Sequence, residues 1–159
     1  MLSADVPPGA RSFMQQAIDQ YENTEQAESL LLKALQLAPE ELEIYIAIYK
    51  FYFYKKHFNS AEHFANLTLN VAAKQSGIDS EWVKLTTSSC DWLNPSNAQR
   101  VFLYTMKAIG FIYLRTKRLQ QGENILSKLL ALDINDLVGG SVVMSLAQTL
   151  LESEDAAVA

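Results

Sequence analysis

Positive charge is scarce in this chain: thirteen lysines and arginines stand against eighteen aspartates and glutamates, for a net charge of −5. That balance argues against nucleic acid as a partner, because a nucleic-acid footprint needs a basic stripe. A single cysteine, Cys90, rules out an internal disulfide and fits a reducing cytoplasm. Six glycines and four prolines are too few for a turn-rich β fold and favour long helices. The two histidines, His57 and His63, lie on different helical faces with no cysteine or carboxylate cluster beside them, so they do not make a metal pair. Long hydrophobic runs are missing, and with them a membrane helix. The opening MLSADVPPGARS has neither the basic nor the apolar region of a signal peptide. There is no Gly-rich phosphate loop, no catalytic carboxylate pair and no GxSxG. Cys90-Asp91 has no histidine near it in sequence, which leaves a structural cysteine as the default. These absences predict a soluble cytoplasmic protein that is not an enzyme, with no catalytic residue, metal, cofactor, nucleic acid or membrane.

What is present is a dense apolar stretch at 40–56, EELEIYIAIYKFYFYKK, with four tyrosines and two phenylalanines between Tyr45 and Tyr54. Acids open it and lysines close it, as a helix dipole prefers. A helix apolar on nearly every side must be covered on nearly every side. The stretch therefore predicts a central helix in an all-α domain, and the length suits one domain.

Around it the helical signals follow in order. Residues 1–9 should be loose, given Pro7, Pro8 and Gly9. A short helix over 11–21 has Phe13, Met14, Ala17, Ile18 and Tyr21 along one side. Asn23 or Thr24 caps a second helix ending near Leu37. After the central helix, Asn59 with Glu62 forms a capping pair for a helix to Lys74 with Ala61, Ala65 and Thr68 inward. The pattern breaks over 75–94, which carries Trp82 and Trp92 and a short helix candidate at 81–86. Asn94-Pro95 restarts a helix that runs to Lys117. Further helices cover 122–132 and 137–151, with Asp133, Asn135 and Asp136 as a cap between them, and 152–159 is a flexible tail.

The helices recur with a period. Ala27 and Ala61 are 34 residues apart, as are Leu103 and Leu137. With units opening at Pro8, Leu42 and Leu103, small residues fall at position 20 (Ala27, Ala61, Gly122) and Gly110 at position 8. Together with AESLLLKALQLAP at 27–39 and IGFIY at 109–113, this resembles the tetratricopeptide repeat family. The resemblance implies a right-handed superhelical array of antiparallel helix pairs: three pairs over 10–151, a final capping helix, and an insertion between the second and third pairs. Tyr49 at position 8 of the second unit departs from the pattern. An ordinary helical bundle is the alternative.

In that family, positions 2, 5, 9, 12 and 13 line the inner groove. Here they are Glu43, Ile46, Lys50, Phe53 and Tyr54 in the second unit, and Tyr104, Lys107, Phe111, Leu114 and Arg115 in the third. In the first they are Gly9, Ser12, Gln16, Asp19 and Gln20, and in the last helix Val138, Ser141, Ser145, Gln148 and Thr149. Tyr45, Ile48, Tyr49 and Tyr52 are left for the core. An aromatic centre with a polar rim is the anatomy of a protein-binding patch. The expectation is an adaptor or assembly chaperone whose partner-binding residues are Ile46, Lys50, Phe53, Tyr54, Tyr104, Lys107, Phe111, Leu114 and Arg115. It would be a monomer or homodimer when free. The alternative for the groove is that the 76–102 insertion, with Trp82 and Trp92, folds over these residues and hides them. The stretch YKFYFYKKHF followed by LALDINDLVGGSVV also resembles small tetratricopeptide proteins that accompany bacterial nitrogen-fixation accessory factors. That resemblance implies a nitrogenase component as client, during cofactor assembly or repair. The alternative function is a self-associating structural subunit of a larger complex.

Overall fold

The computed structural model describes residues 6–158, and these form seven α-helices and one 3-10 turn with no strand among them. Two compact units divide the chain at Thr68–Leu69.

The first unit holds α1 (Pro8–Asp19), α2 (Thr24–Leu37), α3 (Leu42–Tyr54) and the opening turns of α4 (Phe58–Ser76). Helix α1 starts inside the stretch expected to be loose. Pro8 serves as its first residue, where a missing N–H costs nothing, and Val6 before it is buried. Residues 1–5 of that stretch lie outside the described residues. Asn23 caps α2 as expected, its side chain accepting from the Gln26 N–H. Ala27, Leu30, Leu31 and Ala34 are the buried stripe by which α2 packs on α1 and α3. Seven residues of α3 are buried (Leu42, Ile44, Tyr45, Ile48, Tyr49, Phe51 and Tyr52), and they include all four tyrosine and isoleucine positions assigned to the core.

Two of those tyrosines keep their hydroxyls satisfied. Tyr45 donates to the Pro39 carbonyl at 2.8 Å, and Tyr52 bonds to Glu28. Burial, reinforced by that bond and the Glu28 charge, pushes the Tyr52 phenol up to about 12. Tyr52 also stacks on Phe64 of α4, with ring centres 5.6 Å apart. Helix α4 begins at Phe58, with the His57 carbonyl accepting from the Ala61 N–H, so Asn59 lies inside the helix and the Asn59–Glu62 pair does not cap it.

The second unit contains the end of α4, the 3-10 turn Trp82–Lys84, α5 (Asn97–Arg115), α6 (Leu119–Leu132) and α7 (Gly140–Val158). The restart at α5 belongs to Ser96 rather than to Asn94-Pro95. Ser96 and Gln99 form a reciprocal capping box, which satisfies two end donors and outcompetes the bare proline. Helices α5 and α6 approach closely through their glycines. A methyl on Gly110 would sit 2.8 Å from Leu126 Cγ and Cδ2, and one on Gly122 2.8 Å from Leu114 Cδ2. Only hydrogen fits at these two places. Helix α6 starts at Leu119, ahead of the expected 122, and α7 starts at Gly140 and continues through the expected tail to Val158. Before α7, the buried Asp133 carboxylate accepts from the Leu137 and Val138 N–H groups, holding Val138 in the loop rather than in the helix. Asp136 then accepts from the N–H and hydroxyl of Ser141.

The corners of the hairpins repeat. After α3, the His57 N–H reaches the Tyr52 carbonyl and Lys56 takes φ 63°; after α5, the Arg118 N–H reaches Tyr113 and Lys117 takes φ 63°. Helix α4 ends in the same way at Gly77, φ 69°, with Ile78 N–H on the Ala73 carbonyl. This is the left-handed C-terminal cap that glycine adopts without strain. No helix among the described residues is long and apolar enough to cross a membrane.

Candidate functional site

In the first unit an open cleft of about 610 Å³ lies between α1 and α3. Its walls are Arg11, Met14, Gln15 and Ile18 from α1 and Glu43, Ile46, Ala47 and Lys50 from α3. The lining combines apolar Met14, Ile18, Ile46 and Ala47 with two cations, Arg11 and Lys50, the Glu43 carboxylate and the Gln15 amide. Glu43, Ile46 and Lys50, three of the positions that the family resemblance assigns to a groove, line this cleft. On α1, however, the cleft is built from the row Arg11, Gln15, Ile18 and not from Gly9, Ser12, Gln16, Asp19 and Gln20. Ile18 was expected to point inward, yet it is 65% exposed. The signal was available: residues 11, 15 and 18 share one helical stripe.

The rest of the α3 patch continues toward the helix end. Tyr54 is 66% exposed, Phe53 is half-buried, and Phe53 meets Tyr54 and Phe58 edge-on with ring centres 5.8 and 5.6 Å apart. Nearby, Lys55 Nζ lies 3.9 Å from the Tyr21 ring centre and donates to the Tyr21 carbonyl, tying the end of α3 to the α1–α2 turn.

In the second unit, two of the predicted groove residues are structural. Leu114 is buried against Gly122, because the close α5–α6 approach places that leucine between the two helices. Lys107 donates to the Val138 carbonyl at 2.6 Å and lies 4.7 Å from the Tyr104 ring centre. Its ammonium holds the loop before α7, which takes it out of the set of cations facing a client. Tyr104 and Phe111 remain half-buried and Arg115 exposed.

The Trp-bearing segment is pinned within its own unit. Trp92 is buried and donates its indole N–H to the Thr86 carbonyl at 2.9 Å, and Lys128 of α6 donates to the carbonyls of Val83 and Leu85. The helix expected at 81–86 shortens to the 3-10 turn, which packs on α6.

The chain is similar to a nif-region protein. That relative, from Azotobacter chroococcum mcd 1, is described as an uncharacterized 19.8 kDa protein in the nifW 5′ region. The two are 27% identical over 120 residues, covering 74% of this chain and 67% of the relative. No family model matches the chain.

Burial, then the Asp91 carboxylate, pushes the Cys90 thiol above its ordinary range, so less of it is thiolate. His57 stacks on Tyr52 and His63 meets Phe64 edge-on. Among the described residues no group of three histidines, cysteines or acids is placed to hold a metal ion.

Proposed function

We propose that this chain is a non-enzymatic cytoplasmic protein-binding module, an adaptor or assembly chaperone acting in nitrogen fixation. On this reading the hairpins continue as a tetratricopeptide-type right-handed superhelix whose first inner helices, α1 and α3, grip the client. The observation that carries it is the α1–α3 cleft, whose lining joins apolar Met14, Ile18, Ile46 and Ala47 to Arg11 and Lys50. Such a mixture gives desolvated anchors and charged orientation, and a pre-formed helical surface loses little entropy on binding. Phe53 and Tyr54, further along α3, extend the apolar contact. The glycine-mediated approach of α5 and α6 supports the repeat architecture. The similarity to a nif-region protein supports the setting and motivates a nitrogenase component as client.

The test is a tagged copy purified from nitrogen-fixing cells, comparing wild type with a Lys50→Glu, Tyr54→Ser variant. Both positions are exposed, so circular dichroism and melting should not change. Recovery of nitrogenase components should fall to background in the variant. Equal recovery would overturn the cleft as the grip.

A further inference from the structure

We draw no further inference here: the strongest candidate, the exposed Val142 and Leu146 side chains along helix α7, is an unpartnered apolar face, and nothing in the structure shows what covers it.

Discussion

Gly110→Ala tests the packing on which the α5–α6 hairpin depends. In an exposed helix the change would stabilise by about 1 kcal/mol, since alanine loses less backbone freedom than glycine. Here the new methyl meets Leu126 Cγ and Cδ2 at 2.8 Å and Cδ1 at 3.3 Å. Cγ is a branch point rather than a flexible tip, and Leu126 is fully buried, so the leucine cannot swing clear. Overpacking of this kind costs about 1–3 kcal/mol, and steric cost should prevail over propensity by about 1 kcal/mol. For a chain of this size that is a fall in Tm of about 2–4 °C, read by circular dichroism at 222 nm together with urea midpoints. Leu126→Ala alone should cost about 2–5 kcal/mol through its cavity. In the double variant the alanine methyl has room, so the two losses should sum to less than their separate values by more than about 0.5 kcal/mol. A Gly110→Ala protein that melts at or above wild type, or a double variant that is strictly additive, would refute the close approach.

Three further outcomes follow from the corners and clasps. Lys56→Gly and Lys117→Gly should each stabilise by about 0.5–1 kcal/mol, because each lysine holds a left-handed φ that glycine takes freely, and chemical denaturation would show it. Asp136 is held below its ordinary 3.8 by its bonds to Ser141, so its contribution is complete above pH 3.8 and is lost as pH falls through the lowered folded value. Asp136 has a left-handed φ of 54° that asparagine tolerates, so Asp136→Asn should flatten that part of an acid titration monitored by melting; an unaltered profile would remove Asp136 from the acid response. Lys128→Met deprives the Val83 and Leu85 carbonyls of their donor, and brief trypsin or chymotrypsin digestion should then cut within 77–96 several-fold faster while the flanking helices persist.

Much of this fold was legible because the strongest signals were local. The Asn23 cap needs only Gln26 three residues on, and the α3 core follows from an aromatic run that water would not tolerate. The small residues Gly110 and Gly122 pointed correctly to a close helix pair. Misreadings occurred where two local signals competed. Pro7-Pro8-Gly9 reads as a breaker, but proline at a first helical position is also a starter. Asn94-Pro95 was a plausible start until Ser96 and Gln99, with two reciprocal bonds, fixed the boundary. For the cleft, Ile46 and Lys50 on α3 are residues that the repeat positions of the resembled family had already set side by side. The α1 half was missed because an exposed isoleucine, Ile18, looks like core in a periodic pattern. Lys107 and Leu114 were misassigned for a different reason: their partners, Val138 and Gly122, are set by how the α5, α6 and α7 segments meet, which no spacing within α5 encodes.

The half-buried sulfur of Cys90 lies between the Trp92 anchor and the stretch that Lys128 clasps. It is also the chain's sole thiol. A maleimide dye can therefore attach at one place, at a rate set by how far Cys90 is exposed and by how little of its raised thiol is thiolate. A change in that rate reports on the Trp92-anchored segment in wild-type protein, without an engineered probe.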